Sequence, residues 1–345
     1  MSIGIESLSV FEQFDSTNDQ AVGLITDPIR RESVLNRLSA GMDESLAQEA
    51  RLHGWRVQAL FEAMATHLRH VSIVKQEDVG SYHFDDINGS VKPPDFRIVT
   101  DKREQLLVEV KNVAPKYKEK SQKIRASDLD QEKRYADLTS SRLLYAHYWS
   151  HINIWTLIDP AVLQREGRDY ALDFPTAMKA NELFILGDLL ISLRPPITAT
   201  FVVDGGQFLN GIAQATLTDW WMSSGDQVIR NELERTILWK FYSLHKPGWT
   251  TDCKVENDTM GRIREARLVQ TPLESQVCDR GFAQVAWLSR IFSAAYNEAT
   301  ITSDGQVKKF RHQPEGWLSA IMAHDLGEIE FAGTRLRPSL GPAAR

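Results

Sequence analysis

Pro94-Asp95-Phe96-Arg97-Ile98-Val99 is followed by a polar connector, Thr100 to Gln105, and then by Leu106-Leu107-Val108-Glu109-Val110-Lys111-Asn112. Two apolar runs around a short charged connector read as a β-hairpin. With the turn centred on Arg103, Asp95 comes to lie across from Lys111, with Glu109 one diagonal step away. Side chains alternate along a strand, so Glu109 and Lys111 share one face and Val108 and Val110 the other. Two carboxylates and an ammonium then gather at one end of the hairpin while the valine face packs into a core. A divalent-metal site on a rigid sheet can be built this way.

The stretch resembles the PD-(D/E)xK nuclease superfamily, which has the restriction-endonuclease-like fold. Pro94-Asp95 matches its PD element and Glu109-Val110-Lys111 its ExK element. The resemblance implies an α/β fold with a mixed central sheet flanked by helices. It implies Mg²⁺ (or Mn²⁺) held by Asp95, Glu109 and the backbone carbonyl of Val110. It gives Lys111 the task of orienting water or stabilising charge at the scissile phosphate. The residue types suit that chemistry, because Mg²⁺ is hard, takes oxygen ligands and is usually held by one or two carboxylates plus substrate phosphate.

The flanking elements extend the resemblance. From Met42 to Arg69 the pattern is helical, with Val57, Leu60, Phe61, Met64 and Leu68 on one stripe. Glu62 lies off that stripe. In the superfamily the helix before the first strand often carries a glutamate that reaches the metal. Glu62 is the candidate and Gln58, one turn earlier, the second choice; the plain structural use of Glu62 is as a solvated residue of a polar face. Val71 to Lys75 reads as the first strand, with a loop up to Pro93. After Lys111 comes a basic run, Lys116, Lys118, Lys120, Lys123 and Arg125, in which Lys116 and Lys118 are candidates to follow a phosphate backbone. A loop of such charges is also simply well solvated. Ser127 to Thr139 reads as a helix with Ser127 as N-cap. Gln131 and Tyr135 share a face of it and match the QxxxY element of RecB-like members, which implies contact with the DNA strand. Arg142 to Trp149 and Ile152 to Ile158 complete a sheet of four or five strands. Tyr145, His147, Tyr148, Trp149 and Trp155 suit core packing, and His147 and His151 lack a third ligand at metal spacing.

With 42% hydrophobic and 25% charged residues the 345-residue chain has a globular composition. A net charge of −6 gives no support to broad, non-specific coating of nucleic acid, though it leaves room for a local basic groove. Two cysteines, Cys253 and Cys278, are too few for a disulfide framework or a four-cysteine zinc site and fit a reducing, cytoplasmic setting. The start lacks a signal-peptide pattern, and no apolar run reaches the roughly 18 residues of a membrane span.

The chain divides on this reading into an N-terminal extension (1–42), a nuclease-like domain (43–204) and a C-terminal α+β domain (205–345) for recognition, regulation or dimerisation. Ala177 to Leu193 is expected as a helix covering the sheet, Ile197 to Val203 as a strand, and Asp204-Gly205-Gly206 as a turn. Further on, helices are expected over 226–244, 282–296 and 316–326, with a hairpin between 250 and 269. The later tryptophans are expected as core anchors. The expected activity is metal-dependent phosphodiester hydrolysis, with DNA the favoured substrate. The competing reading is a non-catalytic nucleic-acid-binding or scaffold protein. A homodimer and a regulatory partner engaged by 205–345 both stay open.

Overall fold

Two helices, α1 (Pro28–Leu46) and α2 (Glu49–Ala65), lead into the sheet that holds the hairpin. The computed structural model describes residues 28–78, 83–84, 89–114, 121–209, 212–244, 246, 248–277, 280–311, 330–331 and 334–338. Lys116, Lys118, Cys278 and the helix expected over 316–326 lie outside them. The helical span expected from Met42 breaks at Ala47 and Gln48, and Gly54 passes through α2 without interrupting it.

β1 (Val71–Gln76), β2 (Phe96–Thr100) and β3 (Gln105–Val113) form an antiparallel meander. β4 (Gln122–Ile124) and α3 (Ala126–Leu138) then carry the chain over to β5 (Arg142–Trp149), which runs parallel to β3. A parallel neighbour requires such a crossover. β6 (Ile154–Ile158) returns antiparallel, giving the order β1-β2-β3-β5-β6. The result is a mixed α/β layer with a five-stranded central sheet.

Alternation along β3 sorts its side chains. Leu106, Val108 and Val110 join Val57, Leu60, Phe61 and Met64 of α2 in one core. Leu107 and Val113 join Leu129 and Ala136 of α3 in a second core on the other face. Glu109 and Lys111 belong to that second face by strand periodicity. The expected register is corrected by two residues: Phe96 pairs with Val108 and Ile98 with Leu106, so Asp95 stands opposite Glu109 rather than Lys111. The turn spans Thr100 to Glu104, closed by Thr100 and Glu104 backbone and side-chain bonds, with Arg103 at φ 64°.

Beyond β6 a small sheet joins β4 to β7 (Gln164–Glu166) and β8 (Asp169–Leu172). The helix expected over 177–193 is instead α4 (Phe174–Lys179), a 3₁₀ turn, and β9 (Leu189–Leu193). The turn expected at Asp204 is replaced by continuous strand: β10 (Ile197–Leu209) runs through it and pairs with β11 (Ile212–Ser224). β12 (Gln227–Ile229) precedes α5 (Glu232–Ser243), so the expected helix starts six residues late, at a capping Asn231. The late hairpin forms as β13 (Trp249–Asn257) and β14 (Ile263–Pro272).

β15 (Ala283–Trp287) pairs with β9 and passes directly into α6 (Leu288–Thr300), so the helix expected from Phe282 begins as a strand. β16 (Glu330–Phe331) and β17 (Thr334–Pro338) complete the sheet of β9. The division expected at 204 therefore falls inside β10, and β9 takes its partners from the last third of the chain. Late elements also share the first core: Trp155 donates to Ser293 Oγ (2.9 Å), and buried Arg56 donates to Asn297 Oδ1 (2.7 Å) and Thr300 Oγ1 (3.2 Å). The fully buried Asp188 fixes the start of α6, accepting from the backbone and hydroxyl of Ser289. Among the described residues no helix is long and apolar enough to cross a membrane.

Candidate active site

Asp95 and Glu109 face each other at the open end of the hairpin and are only 7% and 4% exposed. Asp95 Oδ2 accepts the backbone N–H of Val110 and Oδ1 accepts Gln58 Nε2, each at 2.6 Å. Burial, and then the neighbouring charge of Glu109, hold the Asp95 carboxyl well above the usual carboxylate range. A third carboxylate, Asp78 just after β1, is also pushed up, first by burial.

Lys111 Nζ stands 2.5 Å from Glu109 Oε1. Lys92, which the sequence reading passed over, reaches the same oxygen at 3.3 Å and bonds Glu132 Oε1 of α3 at 2.6 Å. Burial works against both ammonium groups, but Glu109 and Glu132 together outweigh it and raise both above the ordinary lysine value. Glu132 also accepts a short hydrogen bond from the Tyr145 hydroxyl on β5. Burial, then Glu109, raises the Glu132 carboxyl as well. His147, two residues along β5, is wholly buried between Tyr145 and Trp149, and neither ring nitrogen makes a well-formed hydrogen bond among the described residues. Desolvation, then Lys111, lowers it to about 3, so it is a neutral core side chain at ordinary pH.

The remaining candidates are distributed differently. Glu62 binds Gln76 Nε2 (3.1 Å) and Arg311 (3.0 Å), while Gln58, the second choice, is the α2 residue that touches Asp95. Tyr135 donates to Glu77 Oε1 (2.7 Å), a carboxylate also gripped by Arg97 through Nε and Nη2. Burial opposes ionisation of Glu77, yet these bonds bring it down to about 2. The carbonyl of Gln131 accepts from the backbone of Lys92 (3.4 Å). Ser127 is not the cap of α3: the helix begins a residue earlier, and its first amide is met by Asp169 of β8 (3.4 Å). Glu132 carried a readable signal, since Leu129, Glu132 and Ala136 are all buried at helical spacing, which puts an ionisable group on an apolar stripe.

The donor set fits a hard dication. Among the described residues no cluster of three or more His, Cys, Asp or Glu side chains surrounds a potential metal position. Two buried carboxylates are what Mg²⁺ commonly takes from a protein, water and substrate phosphate supplying the rest. Of the Glu109 oxygens, Oε1 meets both lysines, and Oε2 makes no hydrogen bond among the described residues.

No protein-family model matches the chain, and the curated proteins give no match. Among solved structures, Hjc, a Holliday junction resolvase from the archaeal hyperthermophile Archaeoglobus fulgidus, is similar over 34% of this chain and 88% of its own. The identity is 17% and the TM-score 0.27. A likeness this loose assigns nothing, and the chemistry has to come from the side chains.

Proposed function

We propose that this chain is a Mg²⁺- or Mn²⁺-dependent nuclease that hydrolyses phosphodiester bonds, with DNA the favoured substrate. The observation that carries the reading is the convergence of Asp95, Glu109 and Lys111 at one buried sheet end. A charged hairpin decorating a scaffold protein would leave these carboxylates in water, where isolated charges are far less costly. Asp95 and Glu109 would hold the ion, with Gln58 orienting Asp95. A bound dication supplies Lewis acidity and offsets charge at the phosphate. Lys111, freed from Glu109, would stabilise the charge that develops there. Gln131, Tyr135, Lys116 and Lys118 are proposed substrate contacts, and the sheet of β10 to β14 a surface for recognition or regulation.

The test is cleavage of plasmid and single-stranded DNA with Mg²⁺ or Mn²⁺. Parent, Asp95→Ala and Lys111→Ala are compared, with Mn²⁺ binding followed by calorimetry. Asp95→Ala is expected to lose both binding and cleavage, Lys111→Ala cleavage alone. Equal activity in all three proteins would mark the cleavage as contamination and end the reading.

A further inference from the structure

The roles above leave Lys92 and Glu132 unused, although they sit in the same cluster. Glu132 has no exposed surface and lies on the inner stripe of α3. An isolated buried carboxylate is costly, and Glu132 is matched by the Lys92 ammonium and the Tyr145 hydroxyl. Lys92 is fixed at its backbone too. Its N–H donates to the Gln131 carbonyl, and the neighbouring Ser90 carbonyl accepts from Arg134 at 2.7 Å. The ammonium is therefore placed from two sides before it meets Glu109.

That placement has a consequence for Glu109. Two ammonium groups share Oε1 and leave Oε2 unengaged among the described residues; when Lys111 turns to the phosphate, Lys92 is the donor that stays on Oε1. The bond from Lys92 to Glu132 (2.6 Å) is shorter than its bond to Glu109 (3.3 Å), so Lys92 stays paired whatever Glu109 binds. A counter-ion occupying the metal's place would lack this second anchor.

We propose that Lys92, anchored by Glu132, is a positioning residue that holds Oε1 of Glu109 and so presents Oε2 to a divalent cation. This rests on the reading of Asp95 and Glu109 as metal ligands. Groups that orient a ligand from behind typically affect metal affinity by about 10–100-fold.

Two variants test it. Lys92→Met combined with Glu132→Gln removes both charges of the pair, so no lone buried charge threatens the fold. Glu132→Asp keeps both charges and shortens the anchor by one methylene. Mn²⁺ is titrated by calorimetry into each protein, melting is measured on the same samples, and cleavage is followed against Mn²⁺ concentration. Both variants are expected to bind Mn²⁺ on the order of tenfold more weakly, with a cleavage defect that shrinks as Mn²⁺ is raised. A defect of stability alone would not respond to the metal in this way. Unchanged affinity in a folded variant overturns the proposal, and so does tighter binding, which would make Lys92 a competitor of the cation. If the double variant does not fold, Glu132→Asp decides. Asp95→Ala serves as the reference: undiminished Mn²⁺ binding there would overturn the metal reading itself rather than the role of Lys92.

Discussion

Asp95, a ligand of the proposed metal site, would set stability against function at a single residue. Its carboxyl is buried and faces Glu109, so the proton is held to a higher pH than in the unfolded chain, where an aspartate titrates near about 3.9. Across that interval the folded state binds more protons than the unfolded one, so the metal-free protein loses stability as pH rises through it. Asp95→Asn removes the ionisation. Its amide can satisfy both neighbours if the Gln58 amide turns over, since Val110 N–H needs only the carbonyl oxygen. With chelator present at pH 7, calorimetric melting of Asp95→Asn is expected above that of the parent, with a weaker dependence on pH, and Mn²⁺ binding is expected to be lost. A variant melting below the parent with the same pH slope would show that the paired carboxylates are not in conflict. On the proposed reading Mn²⁺ displaces this proton in the parent, so affinity is expected to fall by about tenfold per pH unit below the raised value. Asp95, Glu109 and Lys111 were legible because their pattern is short and local. Lys92 and Glu132 meet across 40 positions, and only the place of Glu132 on an apolar stripe hinted at it.

At the scale of elements, the hairpin was legible in kind but not in register. A two-residue slip preserves every inside and outside position, so alternation cannot detect it; the geometry of the turn decides. Arg103 enters the left-handed region, and the connector closes between Thr100 and Glu104. The strand β9 was read as helix because a continuous apolar run fits either. Gly187 makes the switch: its φ is 95°, and an added Cβ would meet the backbone nitrogens of Arg69 and His70 at 2.9 Å. Gly187→Ala is therefore expected to cost on the order of 1–3 kcal/mol, read as a lower urea midpoint at unchanged m-value. A neutral result would mean that the turn before β1 can retreat. Helix α3 gives a second test. Tyr135 packs against the second core and its hydroxyl braces Glu77. The depressed pKa of Glu77 stabilises the fold above the unfolded carboxylate value, and that contribution is lost as pH falls from about 4.5 towards about 2. Tyr135→Phe is expected to move acid unfolding to higher pH by weakening that hold. If acid unfolding is unchanged, Arg97 alone suffices and the hydroxyl is available to substrate.

The whole molecule is more entangled than its sequence suggested. The sequence marked a clean division near 204 because turn-forming glycines follow Asp204, yet β10 crosses it and one apolar core runs from α2 through β9 to α6. Such pairings join distant segments and leave no periodic trace in either one. Arg56 makes the same point: its guanidinium is buried with no carboxylate partner among the described residues, resting instead on the last turn of α6, where the helix dipole favours a cation. A fragment of residues 28–204 is expected to lack a cooperative thermal transition by circular dichroism. A sharp transition in that fragment would restore the independent domain. The late arrival of α6 also matters during synthesis. At about 5–20 residues per second, the ribosome makes Glu109 roughly 10–40 s before it makes Thr300. For that time Arg56 of α2 and, once it is made, Trp155 of β6 lack the α6 side chains that meet them in the finished fold. The proposed site would then gain its full scaffold only as the final third of the polypeptide arrives.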